Sequence, residues 1–277
     1  MRPQYPSRIV DELHDLIASA ARERHCVFVA GLPASGKSAV VRRIGRAAAD
    51  AGRVVHLLQW DVARLPFDTP ANLARYPELG GVTHAAIRLA VGRWARGAVL
   101  RWDRAHPGPR HILVGETPLI GERLMELARP RDDGLEPLLA GERTLFVVPV
   151  PSAAVRRAIE AARAGDMSAA RDAKSAPPDL VRAHWSEIEA VAVALGLPRA
   201  SGSAGYDPGL YAATYQRLLR HRHVVVAPVT DVAWTDAALA GVHEIVPSAD
   251  EVAATMREIE RMPSAEVARS AAQWYAE

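Results

Sequence analysis

Two glycines, a lysine and a serine stand in the order G-x-x-x-x-G-K-S within "GLPASGKS", Gly31 to Ser38. Those residue types at that spacing suit one task, the grip of a phosphate chain. Gly31 and Gly36 let the backbone curl with no Cβ in the way. The curl turns successive N–H groups inward, and a helix start adds its positive dipole end. Gly31, Pro33, Ala34, Ser35, Gly36, Lys37, Ser38 and Ala39 are therefore the expected cradle of a nucleoside triphosphate. Lys37 is expected to reach the β- and γ-phosphates and to act in catalysis. Ser38 is expected to offer its hydroxyl to Mg2+.

Such a loop must follow a buried strand and open a helix. Cys26 to Ala30 is an apolar run suited to a buried parallel strand. Ala39, Val40, Val41, Ile44, Ala47 and Ala48 recur at helical spacing with arginines between them, and Gly52 follows where glycine commonly ends a helix. Further strands are predicted at Arg53–Asp61, His111–Glu116, Thr144–Val150 and His223–Val229, with a shorter sixth at His243–Val246. Helical stretches separate them. This alternation predicts an α/β fold, a parallel sheet covered by helices on both faces. Right-handed crossovers bring the strand ends to one edge. Gly31, Asp61, Glu116 and the residues after Val150 are thus expected along one crevice.

An insertion of helical character separates the second and third strands. A long helix is predicted from Thr83, its cap, to about Ala105. Arg88, Arg93, Arg96, Arg101 and Arg104 lie on it. Most read as a solvated face, with Arg88 the candidate to turn inward and bind an acidic substrate. Trp60, Trp94 and Trp102 flank this region and are read mainly as core. Residues 163–179, "RAGDMSAARDAKSAPPD", read as a loop.

Composition narrows the function classes. Of 277 residues, 49% are hydrophobic and 24% charged, as a packed core requires. The net charge of +2 carries no nucleic-acid footprint, so no nucleic-acid partner is expected. Cys26 is the single cysteine, which excludes an intrachain disulfide. The first residues place Ile9, Val10, Leu13, Leu16 and Ile17 on one side of an amphipathic helix rather than in a signal peptide. No run has the length of a membrane span, and the cytoplasm is the expected compartment.

The strand–"GLPASGKS"–helix unit resembles the P-loop nucleoside triphosphatase superfamily, and its small-molecule kinase branch in particular. That branch includes nucleoside and nucleotide kinases, chloramphenicol phosphotransferase and the zeta-toxin sugar-nucleotide kinases. The resemblance implies one kinase-like domain over residues 1–277, three layers α/β/α with about five strands in the order 2-3-1-4-5. It implies an acceptor-binding insertion at about 62–110 and a lid at about 152–185. Asp61, ending "LLQWD", then contacts the acceptor and takes its hydroxyl proton, and Glu116 serves metal or substrate. Among the lid cations Arg156, Arg157, Arg163, Arg171 and Lys174, the preferred pair on the transferred phosphate is Arg157 and Arg163. The adenine would meet the loop "APVTDVAW" after the fifth strand. No N-K-x-D for guanine is present, so ATP is the expected nucleotide and Mg2+ its ion. The expected function is transfer of the γ-phosphate to a small molecule. The alternative is a nucleotide-binding regulator or slow ATPase whose ATP or ADP state a partner protein reads.

Overall fold

The computed structural model describes the backbone of residues 7–169, 178–199, 205–231, 239 and 241–276, and their side chains except at 7–12, 162–169 and 178–181. The chain opens with α1 (Ser7–Glu23), then β1 (Cys26–Ala30), α2 (Lys37–Asp50) and β2 (Val54–Gln59). The insertion holds α3 (Trp60–Arg64), a 3-10 turn at Leu65–Phe67, α4 (Pro70–Arg75) and α5 (Ala85–Ala105). β3 (His111–Thr117) leads through 3-10 turns at Ile120–Glu122 and Met125–Leu127 and α6 (Glu136–Leu139) to β4 (Thr144–Pro151). α7 (Ala153–Ala169), α8 (Pro178–Ala194) and α9 (Pro208–Leu218) precede β5 (Val224–Val229). β6 (His243–Glu244), α10 (Ala249–Arg261) and α11 (Ser264–Ala272) follow.

The strands form one parallel sheet in the order β5-β4-β1-β3-β2-β6. This is the expected 2-3-1-4-5 order with a sixth strand added beside β2. Alternating side chains sort the strands between two cores. Val27 and Val29 of β1 pack with Ile17, Ala20 and Ala21 of α1 and with Val40, Val41 and Ile44 of α2. Cys26, Phe28 and Ala30 face the other layer, where Trp94 and Trp102 of α5 and Tyr211 and Tyr215 of α9 are buried with Trp60. Among the described residues, no helix is long and apolar enough to cross a membrane.

Several local expectations are corrected. β2 ends at Gln59, two residues early, because Trp60 and Asp61 begin α3. Thr83 does not cap α5; His84 does, accepting from the Ala86 N–H at 3.1 Å, while the Thr83 hydroxyl donates to Glu78 at 3.1 Å. The loop expected from residue 163 is helical through Ala169, consistent with the strong helix preference of its alanines. Arg171 and Lys174 lie outside the described residues, as do 232–234 of the expected adenine loop. Ser248 caps α10 as expected, in a reciprocal capping box with Glu251.

Arg96 is not on a solvated face. It is 6% exposed, and its guanidinium bonds Asp133, Glu136 and the Glu126 carbonyl. Arg222, also buried, donates to the carbonyls of Leu127 and Arg129 and to Glu136. Arg129 grips Glu122 with two bonds, 2.6 and 2.8 Å, and Glu126 with a third at 2.9 Å. This ion-pair network holds the chain after β3, where Leu119, Glu122 and Leu124 take positive φ of 62°, 72° and 60°. Such angles are outliers for bulky residues and persist only where the surroundings over-determine them. Arg129→Ala would leave Glu122 and Glu126 buried without that partner. It should lower the free energy of unfolding by about 3–5 kcal/mol in urea denaturation; a loss below about 1 kcal/mol would show that the network does not hold this segment.

Candidate functional site

The glycine-rich loop expected to hold phosphate begins where β1 ends. Gly31 has φ 152°, and a Cβ there would stand 2.4 Å from the Tyr211 hydroxyl and 2.8 Å from Ser35 Oγ. Only glycine leaves room for the hydroxyl of Tyr211, which accepts from the Leu32 N–H at 3.1 Å. Ala34 also adopts a positive φ, 62°, without being glycine. Gly36, at φ 87°, turns the chain into α2 and puts no side chain over its first N–H groups. That helix start therefore opens toward the loop, in the arrangement that favours an anion.

Lys37, Ser38 and Glu116 meet at this loop. Lys37 is buried and donates to the Leu32 carbonyl at 2.8 Å. Its ammonium lies 3.7 Å from Glu116 Oε1. Ser38 donates its hydroxyl to the same oxygen at 3.2 Å. Register explains the meeting: Glu116 pairs with Val29 of β1 on one side and Gln59 of β2 on the other. Its place at the carboxyl end of β3 puts it level with the loop. The oxygen pair suits a hard cation. Neighbouring oxygens on an octahedral Mg2+ with bonds of about 2.0–2.1 Å stand about 2.9 Å apart, close to the separation here.

A group of buried and half-buried cations bears on the same region. Arg88 projects from α5 and donates to the Gly121 carbonyl. Arg123 is 8% exposed, donates to the Ile120 carbonyl at 3.1 Å and lies 5.9 Å from the Trp60 ring. Burial, reinforced by the charge of Arg88, pulls the Arg123 guanidinium down to about 10. A Cβ on Gly121 would fall 2.7 Å from Arg88 Nη1 and 2.9 Å from Arg123 Nη1, so glycine lets the two guanidinium groups converge. Glu187 of α8 lies at the same point. Burial pushes its carboxyl up, against the pull of its bond from Trp274 and of Arg123 and Arg88.

Arg156 enters from α7. It is 3% exposed, donates to Glu160 at 2.7 Å and lies 4.4 Å from the Tyr206 ring centroid. His184 of α8 is 6% exposed. Burial first, then the positive charge of Arg123, Lys37, Arg156 and Arg88, holds its imidazole down at about 4. The phosphate-loop lysine and three arginines from three segments thus all bear on one histidine. Arg156 Nη1, Arg88 Nε and His184 Nδ1 are buried and meet no protein partner among the described residues.

The sequence-predicted residues are distributed unevenly over this site. Gly31 to Gly36 form the loop, Lys37 to Ala39 open α2, Glu116 stands beside them, and Arg88 reaches the Gly121 carbonyl. Asp61 lies exposed in the first turn of α3, on the rim, where its charge bears on Arg123. Arg157 faces solvent and Arg156 takes the inward position. Neighbours on a helix differ by about 100°, so one of the two must face away. Arg163 lies on α7, with its side chain outside the described residues. Arg123, His184, Glu187 and Tyr211 were not anticipated. Arg123 lies within "TPLIGER", next to the strand that carries Glu116, and that adjacency is the one signal for it. No protein-family model matches the chain, and a search of curated proteins found no match.

The depressed His184 sets a pH dependence. Unfolded, the imidazole titrates near about 6.5; folded, it stays neutral down to about 4. The unfolded state therefore binds more protons between those values, and stability falls as pH drops through that window. His184→Gln removes this contribution. Denaturation curves of the two proteins should converge from pH 7 toward pH 4.5, the native protein losing more; curves that stay parallel would refute the assignment.

Proposed function

We propose that the protein is an ATP- and Mg2+-dependent phosphotransferase, moving the γ-phosphate to a hydroxyl of a small molecule that carries its own phosphate or carboxylate. One observation carries this reading: Lys37 and Ser38 at the glycine-rich loop meet Glu116, and the charges of Lys37, Arg88, Arg123 and Arg156 all bear on His184. A second group of cations, Arg88, Arg123 and Arg156, whose charges bear on the same histidine as Lys37, suits an anionic acceptor as well as a nucleotide.

Each residue has a task in this reading. The loop from Gly31 to Ala39 and the start of α2 hold the phosphates, and Lys37 leaves Glu116 for the β- and γ-oxygens. Ser38 and Glu116 would hold Mg2+, which when bound would supply positive charge to the phosphate oxygens. Arg88 and Arg123 bind the anionic end of the acceptor, backed by Gly121. Arg156, with its unpartnered N–H, stabilises charge on the transferred group. Asp61 at the rim takes the proton of the attacking hydroxyl. α7 and α8 form the cover that keeps water from the γ-phosphate.

The test is incubation with Mg2+–ATP and a pool of phosphorylated and carboxylated metabolites, following ADP and new phosphorylated masses together. A new mass is expected. Asp61→Asn should bind ATP normally and slow transfer by about 10²–10⁴. Lys37→Ala should cost about 10²–10³ or more. Arg88→Gln should raise KM for the acceptor far more than KM for ATP. ADP release with no new mass, unaffected by Asp61→Asn, would replace this reading with that of a nucleotide-dependent regulator.

A further inference from the structure

At the opposite end of the strands, His56, His106 and His111 gather around one point, with His243 stacked on His56. His56 is the third residue of β2, His111 the first of β3, His106 follows the last turn of α5, and His243 lies on β6 in direct register with His56. One ligand nitrogen from each of His56, His106 and His111 falls within 4.8 Å of the other two. The ring centroids are 4.6 Å apart for His56 and His106 and 4.5 Å for His106 and His111. His243 stacks on His56 at 5.1 Å.

We propose that His56, His106 and His111 form a site for a zinc-class divalent transition metal, separate from the Mg2+ of the phosphate loop. Three geometric facts carry it. His56 Nε2 and His111 Nδ1 are 3.1 Å apart. Two nitrogens bound at about 2.0–2.1 Å to one tetrahedral metal stand about 3.3–3.4 Å apart, so the pair needs little movement. His106 Nδ1 lies 3.0 Å from the Trp102 carbonyl. A proton donated there leaves Nε2 with its lone pair free, the second-sphere arrangement usual for metal-binding imidazoles. Finally, a hydrogen bond accounts for one pair of histidines, whereas here a third ring completes the triangle and a fourth stacks on it.

The donor set chooses the ion. Three imidazole nitrogens favour Zn2+, Co2+, Ni2+ or Cu2+ over Mg2+ or Ca2+, which take oxygen. His56 is 8% exposed while His106 and His111 are half-buried, so the ion has a route from solvent. His243 is exposed and stacks on His56 at the rim of the triad. The site lies far from the phosphate loop: His111 and Glu116 are at opposite ends of β3, about 16 Å apart at the rise of a strand. An ion here would pin the end of α5 to the starts of β2 and β3, a structural staple for the helix that carries Arg88.

The experiment uses tag-free, chelator-stripped protein, titrated with Zn2+ by calorimetry and with Co2+ by visible absorption. One equivalent per chain is expected, with tetrahedral Co2+ bands and a higher unfolding midpoint on loading. His106→Gln and His111→Gln should each weaken Zn2+ binding at least tenfold, while His14→Gln, on the exposed side of α1, should not. Circular dichroism of the metal-free variants checks that they fold. Imidazole resonances of the native protein give a variant-independent readout: Zn2+ should shift those of His56, His106 and His111. Absence of binding up to millimolar Zn2+, binding that survives both substitutions, or shifts confined to other histidines would overturn the proposal.

Discussion

In the pairing of β1 with β3, Phe28 stands opposite Gly115, and its ring fills the space a side chain at 115 would need. A Cβ there would come within 2.4 Å of the Phe28 ring. The ring is fully buried and packs on Phe146 of β4, so it has little freedom to give way. This close fit holds three neighbouring strands in one register. One residue further on, that register delivers Glu116 to Ser38 and Lys37. A slip of one residue would turn Glu116 to the other face of the sheet and disperse the cluster.

Buried arginines divide into two groups by how well their N–H groups are satisfied. Arg96, Arg129 and Arg222 make bonds to carboxylates and carbonyls on the far side of α5 and fasten the segment after β3. Arg88 and Arg156, near the phosphate loop, each keep a buried N–H with no protein acceptor among the described residues. Leaving such a donor unmet costs about 1–3 kcal/mol, and more for a charged group. The incomplete satisfaction of Arg88 and Arg156 is what the proposed role in binding an anion draws on.

The two sets are linked through the irregular turn between Leu119 and Leu124. Its positive-φ residues are held by Arg129 on Glu122 and by the Leu119 N–H bonding back to the Arg123 carbonyl at 2.9 Å. That turn presents the Gly121 carbonyl to Arg88 and directs Arg123 toward the crevice. Arg129 therefore helps to hold in place the strained backbone that positions Arg88 and Arg123.

How far the residue string goes is clear from individual elements. The strand–loop–helix around Gly31 to Ser38 was legible because spacing alone encodes it, and so was the α/β alternation, since buried parallel strands are continuous apolar runs. The capping of α10 by Ser248 was legible for the same local reason. The end of β2 was not, because Trp60 and Asp61 suit a strand as well as a helix turn and packing decides between them. Nor was the choice of Arg156 over Arg157, since a helical repeat shows that the two face differently and only the sheet edge shows which faces in. His184, Arg123 and Lys37 lie far apart in the chain, as do His56, His243 and the His106–His111 pair at the other edge. The sequence by itself determined the strand–loop–helix at Gly31 to Ser38, the layered class and the residues available. Tertiary structure alone decided which charges share a crevice and which histidines share a corner, because strand register and helix packing join residues that no local pattern relates.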